Sequence, residues 1–301
     1  MSDKLIGAVE AGGTKFVLAV ALMDGRIVDR ARMDTRSPEQ TFPEMAAFFA
    51  RHAKLAGIGI ASFGPIDINP ASPAYGTVTT TPKPGWSGAR YHDALSGLGA
   101  PILVDTDVNG AALGEWLKGA GRGCETVAYT TVGTGIGTGV LHMGIARGGI
   151  SHLEAGHIRP PRDPGRDPFV GRCPYHGDCV EGLASGPAII DRWRAPLDVL
   201  AGRDPNAVPL IASYLADFAV NLILLHMPDR LIFGGGVMKA PGMLESLRAQ
   251  TEGRLAGYVL HPRLDAGLAD YIVAPFLGDD AGITGAIELG RRASCQGSNR
   301  Q

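Results

Sequence analysis

One pattern occurs twice in this chain. Apolar residues 5–10 (Leu-Ile-Gly-Ala-Val-Glu) read as a buried strand, Gly12-Gly13 turn the backbone, and residues 16–22 read as the returning strand. About 120 residues on, the unit returns: a strand over 126–132, the turn Gly133-Thr134-Gly135-Ile136-Gly137, and a return over 138–142. A repeat of this kind reads as an internal duplication of the folding unit. The intervening pattern alternates. Asp24-Gly25 predicts a hairpin turn into a third strand, and Phe42, Met45, Phe48, Phe49 and Leu55 recur at helical spacing over 41–55. Short strands are expected at 57–62 and 101–105, and a helix from Asn109 to Lys118 stopped by Gly119. Past the second unit, residues 150–182 carry no regular period, 185–195 and 207–226 are helical, Leu231–Phe233 is a strand, and 280–292 is a last helix before a polar tail. Alternating strands and helices in two similar halves predict an α/β chain of two lobes with a cleft for a ligand.

Composition sets the function classes aside rather than choosing one. The 301 residues are 45% apolar and 19% charged, which supports a large core. A net charge of −2 gives no basic footprint for nucleic acid or acidic lipid. The N-terminal residues lack a signal-peptide pattern and no apolar run is read as spanning a bilayer, so a cytoplasmic protein is expected, with neither nucleic acid nor membrane as partner. In that reducing setting the close pair Cys173/Cys179 reads as metal ligands rather than a disulfide.

Glycine lets a backbone come close to a phosphate with its N–H groups turned inward. Glu10-Ala-Gly12-Gly13-Thr14-Lys15 adds a hydroxyl, an ammonium and a carboxylate to such a turn; Thr131-Val-Gly133-Thr134-Gly135 is its neutral counterpart. Either alone is an ordinary hairpin; a pair at equivalent places in a duplicated unit points to phosphate. Neither has Walker A or dinucleotide-fingerprint spacing. Phosphoryl transfer to an alcohol also needs a proton acceptor. Asp107 stands where a strand gives way to a helix, with the plain alternative that it is only an N-cap; Asp105 is the second candidate.

Cys173-Pro-Tyr-His176-Gly-Asp-Cys179 has Cys-x2-His-x2-Cys spacing, and His157 from Glu154-Ala-Gly-His completes a Cys2His2 set suited to tetrahedral Zn²⁺. Four protein ligands leave no open position, which makes the ion structural. His142 and His261 are read as ordinary histidines.

These motifs, in this order and over nearly the whole chain, resemble the ROK (repressor, open reading frame, kinase) branch of sugar kinases in the actin-like ATPase superfamily. Cys-Pro-Tyr-His-Gly-Asp-Cys together with Glu-Ala-Gly-Gly-Thr-Lys is similar to the bacterial fructokinase subgroup. The resemblance implies a ribonuclease H-like two-lobed fold and transfer of the ATP terminal phosphate to a hexose, fructose first and glucose or mannose next. Gly12, Gly13, Thr14 and Lys15 and the second loop, Thr131, Gly133, Thr134 and Gly135, would hold ATP with Pro187 and the adenosine loop Gly234, Gly235, Gly236, Val237 and Met238. Asp107 falls on the base of the family's Asn-Asp-x-Asn pattern, with Thr106 where Asn is usual. Glu10 replaces the usual Asp as the residue holding Mg²⁺ through water. Glu154, His157 and Glu181 would meet the sugar from the zinc loop, and Gly64, Pro65, Thr106 and Lys83 from the first lobe; for Lys83 a solvated side chain is the alternative.

The expected division is 1–115 for the first lobe, 116–280 for the second, a helix over 281–292 returning to the first, and a flexible tail over 293–301. Relatives imply a homodimer. Two other classes share parts of the pattern: a sugar-sensing repressor, which would need an additional helix-turn-helix before the first strand at Leu5, and a zinc hydrolase, which would need an open metal position.

Overall fold

A computed structural model describes residues 4–264 and 266–298. The chain forms two compact units. Unit 1 holds the residues up to Lys118, Gly148–His152 and those from Asp279 onward; unit 2 holds Gly119–Arg147 and Leu153–Gly278.

Unit 1 opens with β1 (Leu5–Ala11), β2 (Lys15–Leu22) and β3 (Ile27–Asp34), joined as antiparallel hairpins, the second turning at Gly25 with φ +88°. Helix α1 (Pro38–Ala50) follows, then β4 (Leu55–Ser62), α2 (Tyr91–Leu95), β5 (Ile102–Thr106) and α3 (Asp107–Lys118). The helix expected over 41–55 lies earlier than its apolar spacing suggested. Pro38 starts it, with a fixed φ that suits a first turn. Leu55 repeats the helical period by coincidence: it is the buried first residue of β4. The sheet runs β3-β2-β1-β4-β5, with β4 parallel to both β1 and β5.

Unit 2 repeats the plan. β6 (Thr126–Val132), β7 (Ile136–His142) and β8 (Ile145–Ala146) pair antiparallel, then α4 (Val180–Ala184), α5 (Gly186–Trp193), α6 (Leu197–Leu200) and α7 (Ala207–His226) lead to β9 (Arg230–Gly234), α8 (Met243–Leu255) and β10 (Ile272–Val273). Its sheet reads β8-β7-β6-β9-β10, strand for strand the order of unit 1, with β9 parallel to β6 and β10. The duplication inferred from the glycine turns is therefore a duplication of the whole sheet. Among the described residues one helix, α7, is long and apolar enough to cross a membrane by length and composition, although no such run was expected; 67% of that apolar window is buried. Its side chains Ile211, Leu215, Phe218 and Leu222 follow the helical period into the core of unit 2, as a central core helix requires.

The last helix, α9 (Ala281–Ser298), packs in unit 1 against β1, β4 and α3. The approach is close because glycine lines both sides: a Cβ on Gly59 of β4 would overlap the Ala286 carbonyl, and one on Gly285 would overlap that of Gly110 in α3. The helix continues past Arg292, where the sequence pattern ended it, because buried Ala293 still packs on Gly57. Of the tail expected over 293–301, residues 293–298 are thus helical, and 299–301 lie outside the described residues.

Candidate functional site

In each unit the glycine turn projects from the sheet edge where the parallel strands end. In unit 1 the in-register row Ala11, Ser62 and Thr106 closes β1, β4 and β5 side by side, so the turn after Ala11, the Phe63-Gly64-Pro65 segment and Asp107 all leave one edge. Two strand spacings, about 10 Å, separate the first and last of these.

The first turn is held from one side. Gly12 N–H donates to the Lys15 carbonyl at 2.8 Å, closing the hairpin. The carbonyls of the tip are then each taken by the protein: Thr35 Oγ1 donates to Gly12 O at 2.8 Å, Lys83 Nζ donates to Gly13 O, and Thr35 N–H donates to Thr14 O at 3.0 Å. A trans peptide sets N–H opposite to C=O. Anchoring those carbonyls therefore aims the N–H groups of Gly13, Thr14 and Lys15 the other way, and nothing lies within 4 Å of where a Gly13 side chain would begin. An exposed tip with its donors turned outward is an anion cradle.

Glu10, the penultimate residue of β1, reaches the start of α9 with its carboxylate. Its group accepts the Ile283 N–H at the start of α9, and it lies against Gly282, where a Cβ would come within 2.6 Å of Glu10 Cδ. Burial pushes its carboxyl above the usual range, against the pull of Lys15 and the Ile283 bond. Its Oε2 is buried with no hydrogen-bond partner among the described residues, which suits a cation or a cation-held water facing that oxygen.

Asp107 is not the N-cap. That task falls to Thr106, whose Oγ1 accepts the Asn109 N–H at 3.1 Å, and helix α3 begins at Asp107 rather than at Asn109. The Asp107 carboxylate sits in the first turn, accepting its neighbour Val108 N–H at 2.9 Å, where the helix dipole favours negative charge. Asp105 is committed elsewhere: its Oδ1 accepts Asn109 Nδ2 at 2.6 Å and Thr106 N–H at 2.8 Å, and burial raises its carboxyl. Thr106 is 3% exposed, and its hydroxyl oxygen accepts the capping bond.

Gly64 and Pro65 are joined by a cis peptide. His152 packs beside them, its Nε2 accepting the Ile66 N–H at 3.3 Å. Sequence reasoning assigned His152 no place. It reaches this edge from a segment of five residues, Gly148–His152, that belongs to unit 1 although both its neighbours in sequence belong to unit 2.

In unit 2 three pieces converge on the second turn. Gly133 N–H donates to Gly135 O at 2.9 Å, and Gly186 N–H, at the head of α5, donates to Gly133 O at 2.8 Å. Ser185 caps α5 and Pro187 occupies its first turn, so the positive end of that helix faces the turn. The adenosine-loop candidates are here too: Thr131 pairs with Gly234 across β6 and β9, Gly235 (φ +94°) lies so close to Val132 that any side chain would overlap its carbonyl, and a Cβ on Gly186 would lie 3.8 Å from Val237 Cγ2. Met238 packs on the core beside them.

The third piece is the metal loop. His157, Cys173, His176 and Cys179 bring one ligand atom each to within 4.8 Å of one another. Cys173 Sγ is 3.7 Å from His157 Nδ1 and 3.6 Å from His176 Nδ1, and Cys179 Sγ is 3.6 Å from His157 Nδ1. A tetrahedral zinc with bonds of about 2.3 Å to sulfur and about 2.0 Å to nitrogen separates those atoms by roughly 3.6 Å. The loop donors therefore fit that ion. His157 turns its other nitrogen, Nε2, toward Glu154 Oε2 at 4.0 Å. The Glu154–His157 turn lies directly on the second glycine hairpin, since a Cβ on Gly156 would overlap Ile136 O. Glu181, two residues past Cys179, closes the link: its Oε2 accepts the Ile136 N–H at 2.9 Å and fills the space over Gly135. A buried pair braces the loop from below. Asp167 accepts from Arg192 Nε and Nη2 at 3.2 and 3.0 Å and from Tyr214 Oη at 2.7 Å, while the Arg192 guanidinium lies 4.4 Å from the Phe169 ring centre. Burial and Asp167 push the Tyr214 phenol up to about 12.

Two duplicated α/β units, each presenting a glycine hairpin at the ends of its parallel strands, define a phosphate-handling protein of the actin-like ATPase type. The chain belongs to the ROK family, matching it over residues 6–293. It is 43% identical to the fructokinase of Zymomonas mobilis over 293 residues, covering 95% of this chain and 96% of that one. With the fructokinase of Pediococcus pentosaceus it shares 41% identity over 291 residues, 96% of this chain and 98% of that one. Among solved structures, the ROK hexokinase from Thermus thermophilus superposes with a TM-score of 0.76 at 28% identity, over 97% of this chain and 99% of that one.

Proposed function

We propose that this chain transfers the terminal phosphoryl group of ATP to a hexose, and that the hexose is D-fructose, phosphorylated on its 6-hydroxyl. Full-length similarity to two fructokinases at 43% and 41% identity is the observation that carries the choice of sugar.

Asp107 accepts the proton of the attacking hydroxyl, held in the first turn of a helix, where the dipole favours negative charge. The outward N–H groups of the first turn and the α5 terminus beside the second turn bind the phosphate chain, and Gly234–Met238 with Thr131 and Pro187 take the nucleoside. Mg²⁺ would neutralise charge on the phosphates, with Glu10 holding its water through the partnerless Oε2. Glu154 and the Nε2 side of His157 accept and donate hydrogen bonds to sugar hydroxyls. His157, Cys173, His176 and Cys179 would hold a structural Zn²⁺, and His157, with Nδ1 turned to the two thiols, would present its other nitrogen in one orientation. None of the four cysteines is in a disulfide, which leaves Cys173 and Cys179 available as metal ligands.

A coupled ADP-release assay with Mg·ATP and fructose, glucose, mannose and N-acetylmannosamine tests the reading. Fructose should give the highest kcat/KM. Turnover with none of the four would sink the kinase reading, and a preference for glucose or mannose would sink only the sugar.

A further inference from the structure

The loop between β4 and α2 carries Thr81-Pro82-Lys83-Pro84-Gly85-Trp86. Trp86 anchors it. The indole is completely buried, stands edge-on to Phe63 and Phe42 at centroid distances of 5.0 and 5.4 Å, and donates through Nε1 to Arg36 O at 2.9 Å. Trp86 N–H in turn donates to the Lys83 carbonyl at 3.2 Å, and Lys83 N–H donates to Thr81 Oγ1 at 3.3 Å. With proline on either side, the Lys83 backbone has little freedom left. Its side chain is aimed rather than solvated.

What it is aimed at is the first glycine turn. Lys83 Nζ donates to Gly13 O and lies 5.9 Å from the centre of the Phe63 ring. Among the described residues it forms no ion pair with a carboxylate. Partial burial lowers its pKa. An ammonium has three N–H donors, and a single backbone carbonyl satisfies one of them. So a cation, uncompensated by any anion, is delivered by a stiff loop to the tip of a turn whose own donors face outward.

We propose that Lys83 belongs to the phosphate site for ATP rather than to the sugar wall: it locks the Gly13–Thr14 peptide and gives its remaining donors to the terminal phosphates. The lock acts through peptide planarity. With Gly13 O held by Lys83, the Thr14 N–H is fixed in the opposite direction, toward the ligand. The charge acts directly, because an ammonium–phosphate hydrogen bond is among the stronger ones a protein makes. The turn thereby has two lysines with different tasks, Lys15 acting on buried Glu10 and Lys83 on the bound anion. The inference rests on the ATP-dependent kinase reading above.

Calorimetry on the full-length protein separates the two. Mg·AMPPNP and AMP are titrated, without sugar, into the wild type, Lys83→Met and Lys83→Arg, and KM for fructose is measured in parallel. The expected result is AMPPNP binding about tenfold weaker in Lys83→Met, partly recovered in Lys83→Arg, with AMP affinity and the fructose KM unchanged. A raised fructose KM with unchanged AMPPNP affinity would return Lys83 to the sugar wall and overturn the proposal. Unchanged values throughout would overturn it, as would equal AMPPNP losses in Met and Arg accompanied by a lowered Tm, which mark a structural role. A wild type that binds AMPPNP but phosphorylates no hexose would fail the kinase reading while the nucleotide comparison still decides Lys83.

Discussion

Glu181 is the residue whose removal most sharply separates a sugar contact from a joint between two parts of the site. Its Oε2 accepts the Ile136 N–H at 2.9 Å, at the point where the second glycine turn becomes β7, and the same oxygen would be 2.7 Å from a Cβ on Gly135. Glu181→Ala leaves that N–H without its acceptor and opens the space above Gly135. Losing a hydrogen bond to a charged acceptor costs about 1.5–3 kcal/mol, which corresponds to roughly 10- to 150-fold in an equilibrium constant. Much of that cost should fall on the nucleotide, because the geometry of Gly133–Gly135 depends on the bond. The prediction is a Kd for Mg·AMPPNP at least tenfold higher in Glu181→Ala, measured without sugar, with any loss of fructose affinity additional to it. Glu181→Gln keeps an oxygen acceptor and should recover most of the nucleotide affinity. The measurement is calorimetry with each ligand separately. If Glu181→Ala binds AMPPNP like the wild type and loses only fructose, the bond to Ile136 has no energetic consequence and the argument is wrong.

Three other perturbations follow from the same geometry. Asp107→Asn should retain fructose binding and lose about 10²–10⁴-fold in kcat, the usual worth of general-base catalysis; unchanged kcat in steady-state assays would remove Asp107 from the chemistry. Elemental analysis should find about one zinc per chain, since the four donors lie at the separations of a tetrahedral site, and Cys179→Ser should lose it; a zinc-free wild type would refute the ion. Asp167→Asn should destabilise the protein by about 3–5 kcal/mol, because it strands the buried Arg192 guanidinium; a denaturant midpoint equal to the wild type would contradict that.

The parts of this molecule legible in its sequence are those set by local chemistry. Strand and helix periods, glycine turns and the Cys-x2-His-x2-Cys spacing each operate within a few residues; the turns and the ligand spacing reappear at the expected place, and the strands and helices reappear with some of their bounds shifted. The misplacements are also local in origin. Leu55 satisfies a helical period while serving a strand, and Thr106 rather than Asp107 is the cap, because its hydroxyl, unlike a first-turn carboxylate, reaches the Asn109 N–H. What could not be read were contacts between residues far apart in the chain: Thr35 on Gly12 and Thr14, Lys83 on Gly13, Glu10 against Gly282, Glu181 on Ile136. No period or spacing encodes these.

They share one physical logic. A glycine turn has too much freedom to hold a phosphate by itself, since its peptide planes can rotate. In unit 1 that freedom is removed by distant groups that seize the carbonyls and so orient the opposing N–H groups. In unit 2 it is removed by the head of α5 on Gly133 and by a carboxylate from the metal loop on Ile136. The glycines make a cradle possible, and the long-range bonds make it a single conformation. The metal loop then has a second consequence beyond presenting Glu154 and His157: through Glu181 it helps shape the turn of unit 2. Loss of zinc should therefore weaken nucleotide binding as well as sugar binding, and a zinc-depleted protein that binds AMPPNP with wild-type affinity would break that link.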